Sequence, residues 1–182
     1  MANLLETISK EQVQHESDIV TSRLLGSDWY KKSQRISVYV STNGEIQTDS
    51  FIKHAMEMGK DVFIPRFKKG AHMMEMLKLE SLEEFQTLDT SLWGIRQHHP
   101  DLMRPMYYDS GPLDLVLLPG VAFTEKGHRL GHGKGFYDKF LTDHHERFGC
   151  MPTMVGLALK VQMVEDLPVH QYDVTIDHVL HI

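Results

Sequence analysis

The run Leu113-Asp114-Leu115-Val116-Leu117-Leu118 constrains the fold more than any other segment, because it is almost continuously apolar and does not alternate. A strand with one face in water alternates apolar and polar residues, whereas a strand covered on both faces reads as an unbroken apolar stretch. The run therefore predicts a central strand of a parallel sheet, stopped by Pro119-Gly120. Other segments supply its neighbours. Arg35 to Ser41 is apolar at 36, 38 and 40 and is broken by Thr42-Asn43-Gly44, which predicts a strand. A helix is expected from about Asp49 to Met58, with Phe51, Ile52, Ala55 and Met56 on one face and Gly59 as its stop. Val62-Phe63-Ile64-Pro65 then reads as a second strand, ended by proline with Arg66 just beyond it, so that residues 35 to 66 make a βαβ unit.

An opening helix is expected over residues 9 to 26, where Ser9-Lys10-Glu11-Gln12 fits a capping box and Val13, Val20 and Leu24 share a face. Met73 to Leu79 reads as a strand, Ser81 to Glu84 as a short capped helix, and residues 91 to 112 as a long loop in which Trp93 is a candidate for the core or for a ligand. A helix from about Phe136 to Phe148, a strand Met154 to Ala158 and a last short strand near Asp173 to Ile176 complete the pattern. Strands alternating with helices imply an α/β fold, a mostly parallel sheet flanked by helices, which binds ligands outside the carboxyl ends of its strands. The places to search are then Ser41 to Ile46, Pro65-Arg66, and the loops after Leu118 and Ala158.

Composition narrows the partners. With 182 residues, 41% hydrophobic and 24% charged, the chain suits one domain spanning residues 1 to 182. The net charge of −6 and the absence of any run of five like charges disfavour nucleic acid as a main partner. The single cysteine, Cys150, precludes an intramolecular disulfide and suits a reducing compartment, so a cytoplasmic location is expected. Met1 to Glu6 has no basic region before an apolar stretch, and no window nears the roughly 18 apolar residues of a membrane span. A monomer acting on small molecules is the expectation.

The segment that carries chemistry is Gly127-His128-Arg129-Leu130-Gly131-His132-Gly133-Lys134-Gly135-Phe136-Tyr137-Asp138. Gly131, Gly133 and Gly135 let backbone approach a bulky anion, the N-terminus of the following helix faces it, and Lys134 and Arg129 add positive charge. Such a loop can hold the phosphates of a nucleotide for phosphoryl transfer. It is neither G-x-x-x-x-G-K-[ST] nor G-x-G-x-x-G, and a plain connection is the alternative reading. Asp138, in the first helical turn, is read either as an acid favoured by the helix dipole or as a magnesium ligand.

Segment 118 to 138, together with Val40 to Ile46, Ile64-Pro65-Arg66 and Val174-Thr175-Ile176-Asp177-His178-Val179, resembles the 5-formyltetrahydrofolate cyclo-ligase (5,10-methenyltetrahydrofolate synthetase) family. The likeness runs from about Ser9 to Leu180, and its most specific part is R-L-G-x-G-K-G-[FY]-Y-D. The resemblance implies a three-layer α/β fold with a Rossmann-like sheet. It implies conversion of 5-formyltetrahydrofolate and ATP to 5,10-methenyltetrahydrofolate, ADP and phosphate with magnesium: the γ-phosphoryl group activates the formyl oxygen, N10 closes the ring and phosphate leaves. On this resemblance Arg129, Leu130, Gly131, His132, Gly133, Lys134, Gly135, Phe136 and Tyr137 form the nucleotide loop, with Lys134 and Arg129 as catalytic charges. His132 to Phe136 also border the formyl-folate, for which Glu45 binds the pterin edge and Val40 adds an apolar contact. Asp138 and Asp177 complete a magnesium site.

The sequence departs from the family pattern at His132, where arginine is usual; histidine carries less charge and cannot grip phosphate in a bidentate manner. No K-x-x-x-R precedes Ser9, where the family has a basic helix that reaches the ATP phosphates; the sequence is then a truncated or alternative product, or the nucleotide is held by fewer charges, or the activity is lost. The competing reading is a catalytically weakened relative that binds folate, nucleotide or RNA in a regulatory role.

Overall fold

A computed structural model describes residues 2–182. The elements follow in chain order: α1 (Ala2–Leu5), α2 (Lys10–Gly26), α3 (Asp28–Lys32), β1 (Arg35–Val38), α4 (Asp49–Glu57), β2 (Asp61–Arg66), β3 (Glu75–Lys78), α5 (Leu82–Gln86), β4 (Asp89–Thr90), β5 (Arg96–Gln97), β6 (Leu115–Leu118), β7 (Ala122–Phe123), β8 (Arg129–Leu130), α6 (Phe136–Phe148), β9 (Thr153–Leu157) and β10 (His178–Leu180). Ser9 caps α2 as expected, its hydroxyl accepting from Gln12 N, while the Gln12 amide reaches Glu16 rather than back to the cap.

The main sheet has the order β10-β9-β6-β1-β2-β3, parallel throughout except for the antiparallel edge strand β3. The apolar run is its centre: β6 lies between β9 and β1, and all four of its residues are buried. Asp114, the one acid in that run, sits just before the strand, and its carboxylate accepts from Gln34 N and Arg35 N, fixing where β1 starts. From β1 the chain moves through α4 to β2 on one side; from β6 it moves through α6 to β9 on the other. Right-handed crossovers in opposite directions put α4 and α6 on opposite faces of the sheet, which makes three layers. The strand order reverses between β1 and β6, and a crevice opens at the carboxyl ends of those two strands.

Three expectations are corrected. The last strand is not Asp173 to Ile176 but β10, because Val174 N is taken by the Asp138 carboxylate and Ile176 N by the Gly127 carbonyl, leaving His178–Leu180 to pair with β9. Pro65 does not end β2, which continues to Arg66. Leu79 N bonds to Val62 O, so by the alternation of the ladder the missing Pro65 N–H is turned away from β3, where pairing to β1 has already stopped at Phe63. Residues 91 to 112 are more ordered than a loop: β5 pairs back onto β4, and short 3-10 turns form at Leu92–Gly94 and Tyr107–Asp109.

Candidate functional site

A cavity of about 700 Å³ occupies the crevice. The turn after β6 contributes Pro119 and Gly120, the segment after β1 contributes Tyr39, Val40, Thr42 and Glu45, and Phe67 follows directly after β2. The whole stretch Arg129 to Asp138 lines it, so that the structure gathers every nucleotide-loop and folate-contact residue expected from the sequence into one space. Pro168, His170 and Asp173 stand at its edge.

The glycine-rich segment is built as a hairpin and a turn. β7 and β8 pair antiparallel, which holds Arg129 and Leu130 extended; the chain then turns through Gly133 and Gly135, with φ of 89° and 67°, into α6. Gly135 occupies the N-cap without a side-chain cap, so the first N–H groups of α6 face the cavity side unused by any capping side chain. Lys134 is exposed, and among the described residues its ammonium has no side-chain partner in an ion pair. Arg129 is held differently. Its side chain is 6% exposed, donates to the Pro119 carbonyl at 3.0 Å, lies 3.7 Å from the Asp138 carboxylate and stacks 5.4 Å from the Tyr137 ring. Burial pulls its pKa below the ordinary guanidinium value and Asp138 opposes that shift, so the cation is kept by its neighbours.

The opposite wall suits a flat heterocycle. Phe67, Trp93 and Phe136 form a cluster with ring centroids 5.2 to 6.1 Å apart. Trp93, left open between core and ligand by the sequence, is 58% exposed and turned to the cavity at a backbone φ of 58°, a left-handed conformation that few non-glycine residues hold. Met74 is buried away from the lining. Glu45 places one carboxylate oxygen on Thr42 N at 2.8 Å and on the Thr42 hydroxyl at 3.1 Å. Burial raises its pKa, partly offset by those two bonds from Thr42. Tyr39 closes the floor beside it, its hydroxyl donating to Ile46 O.

Of the two acids expected to share a metal, the structure brings only Asp138 to the cavity. One Asp138 oxygen accepts from Val174 N at 3.0 Å and the other faces Arg129. Asp177 is away from the lining: its carboxylate accepts from Met154 N at 2.8 Å, near the start of β9, because the register of β10 begins at the next residue. Among the described residues no three His, Cys, Asp or Glu side chains cluster to hold a metal by themselves. Arg66, at one of the strand ends where a ligand is expected, is buried and spent on Glu75 and on the carbonyls of His99 and Leu102. Phe67, one residue past the strand end searched, was within reach of the sequence argument. His170 was not, since it arrives from a segment with no periodic signal, and Asp173 was not, since it falls in a stretch expected as a strand that instead runs along the cavity.

The comparisons agree with this geometry. Residues 1–181 match the model of the 5-formyltetrahydrofolate cyclo-ligase family. A probable 5-formyltetrahydrofolate cyclo-ligase of Caenorhabditis elegans is 47% identical over 100% of this chain and 88% of its own length. The 5-formyltetrahydrofolate cyclo-ligase of Mus musculus is 34% identical over 97% of this chain and 87% of its own. The 5,10-methenyltetrahydrofolate synthetase structure from Aquifex aeolicus superimposes with a TM-score of 0.75 at 26% identity, covering 97% of this chain and 83% of that one. A cavity at the reversal of a parallel sheet, walled by Arg129 to Asp138, together with a family match over residues 1–181, places this chain in the 5-formyltetrahydrofolate cyclo-ligase family.

Proposed function

We propose that the protein converts 5-formyltetrahydrofolate and ATP to 5,10-methenyltetrahydrofolate, ADP and phosphate. The observation that carries this reading is that one cavity has both an anion end and an aromatic end. The glycine turn, Lys134, Arg129 and the open N-terminus of α6 face phosphate, while Val40, Glu45, Phe67, Trp93 and Phe136 face a ring. A formamide oxygen is a poor leaving group, and two polyatomic substrates must meet in a near-attack arrangement before it can be replaced. Transfer of the γ-phosphoryl group to the formyl oxygen breaks the terminal phosphoanhydride bond of ATP. Attack by N10 on the activated carbon then forms the ring bond, N10 gives up its proton to water or the departing phosphate, and phosphate leaves with that oxygen.

Lys134, at the tip of the turn, neutralises charge on the transferred group, and Arg129, pre-oriented by Pro119 O and Asp138, holds an adjacent phosphate oxygen. Backbone N–H groups of residues 131 to 137 complete the cradle. Glu45 accepts one N–H of the pterin's amino-bearing edge with the oxygen not spent on Thr42. Magnesium fits at Asp138, which lines the cavity and whose oxygen nearer Arg129 stays 3.7 Å from that guanidinium, with Asp173 also among the lining residues; it needs few protein ligands when phosphates and water supply the rest. When bound it offsets phosphate charge. Asp177 would serve that ion only by reaching it from outside the lining.

The 182 residues are proposed to work as one domain and as a cytoplasmic monomer; the single six-stranded sheet and the lone Cys150 support this, and no helix among the described residues is long and apolar enough to cross a membrane. The test is stoichiometry. ADP and phosphate should each appear one for one with methenyltetrahydrofolate, and ADP released without the methenyl product would remove ring closure from the account.

A further inference from the structure

Arg129 has an orientation that depends on a carbonyl, and that carbonyl belongs to a turn held from behind. Pro119 O, the acceptor of the Arg129 guanidinium, is one peptide away from Gly120 O. Gly120 O is taken at 2.7 Å by the side-chain amide of Gln162, which is 1% exposed and lies outside the cavity lining. The other end of the same amide accepts from Leu159 N at 2.9 Å. The next N–H, that of Lys160, donates at 2.7 Å to Glu16 of α2, a carboxylate only 2% exposed. Thus the turn after β9 is fastened to α2, and through Gln162 to the turn after β6. Gly120 has no slack on its other side: a Cβ there would meet the Phe123 ring at 2.7 Å and Arg129 Cγ at 3.1 Å.

We propose that Gln162 is a positioning residue for the nucleotide end of the site, acting through the Pro119-Gly120 turn on Arg129. Both halves of its amide are used, one to accept and one to donate, so neither an apolar residue nor an ionised carboxylate can replace it. Leucine at 162 leaves Gly120 O and Leu159 N without partners. Glutamate leaves Gly120 O facing a carboxylate when ionised, yet restores a donor when protonated. The peptide planes of 119 and 120 then turn, and the Arg129 guanidinium loses its acceptor. Val40 and Glu45, which come from the segment after β1, are untouched by that rotation.

This inference rests on Arg129 meeting the nucleotide, and binding experiments separate the two. The dissociation constants of magnesium ATP and of 5-formyltetrahydrofolate would be measured on the intact protein by calorimetry, for wild type, Gln162→Leu, Gln162→Glu, Arg129→Ala and the Gln162→Leu/Arg129→Ala double variant, with melting temperatures for each. Gln162→Leu should weaken ATP roughly tenfold, the effect of losing one buried hydrogen bond, with folate affinity within about twofold. In the Arg129→Ala background the same change should have little further effect, since both act through one contact. For Gln162→Glu the ATP affinity should recover towards wild type as the pH is lowered. Equal loss of both ligands, additive effects in the double variant, or unchanged ATP affinity in folded Gln162→Leu and Gln162→Glu would each overturn the proposal. Wild-type protein that binds no ATP would instead overturn the reading of the site itself.

Discussion

Glu45 shows what a single residue contributes and what it costs. Burial raises its carboxyl pKa, so the folded protein holds that proton more tightly than the unfolded chain does. For an acid shifted upward, ionisation at neutral pH opposes folding, and stability is gained as the pH falls through its folded pKa. Glu45→Gln should therefore raise the melting temperature at pH 7 while weakening 5-formyltetrahydrofolate binding, by about tenfold or more for a charged hydrogen bond. Fluorescence titration beside thermal melting checks both, and weaker folate binding with no gain in stability would contradict the cost assigned to the buried charge. In wild type, folate affinity should fall on acidification at a higher pH than an ordinary glutamate would give. Asp138 and Asp177 are separated by the same approach: Asp138→Asn should raise the magnesium concentration needed for half-maximal rate several-fold, and Asp177→Asn much less. A larger effect at Asp177 would move the ion off the cavity wall.

At the scale of elements, α6 links the site to the core. Its first turn carries Tyr137 and Asp138, and its third carries His144, which is fully buried. His144 Nε2 accepts from Leu113 N at 2.9 Å and Nδ1 meets the Cys150 carbonyl at 3.0 Å, so one ring fastens the helix to the approach to β6 and to the turn before β9. That arrangement requires neutral imidazole, and burial lowers its pKa, with the Cys150 carbonyl and Asp143 opposing the shift. A histidine lowered on folding contributes stability that is present above its ordinary pKa and is lost as the pH falls below about 6.5. Thermal melts should show a decline from pH 7 to pH 5. His144→Phe should flatten part of it and cost about 1–3 kcal/mol at pH 7 by stranding Leu113 N. An unchanged pH slope in that variant would assign the decline to His98, whose pKa burial also lowers. Elements whose signal is local were legible in the sequence. The α6 boundaries of Phe136 and Phe148 follow from a glycine at each end, and β6 from its apolar run. The last strand was misplaced because its position depends on Asp138 and Gly127, far away in the chain, taking the N–H groups of Val174 and Ile176.

For the whole molecule, topology decides where chemistry occurs. Because the sheet reverses between β1 and β6, the segments after those strands cannot be covered by the same helix, and they face each other across a space that the Arg129–Asp138 stretch closes. This explains why residues read as separate motifs, Glu45 and Lys134, come to one cavity although 89 positions divide them. It also explains what the sequence left unread: His170, Asp173 and the buried Gln162 owe their places to long-range packing rather than to spacing. This one cavity is proposed to couple phosphoryl transfer to ring closure. That coupling is tested most directly by mixing the purified protein with 5-formyltetrahydrofolate and magnesium, with and without ATP, and following methenyltetrahydrofolate by absorbance, beside Lys134→Ala. Product should form only with ATP, at a rate about a hundredfold lower in Lys134→Ala, with folate binding preserved. Wild-type protein that binds 5-formyltetrahydrofolate and ATP but forms no product would contradict it and would identify a relative that keeps the fold without the reaction.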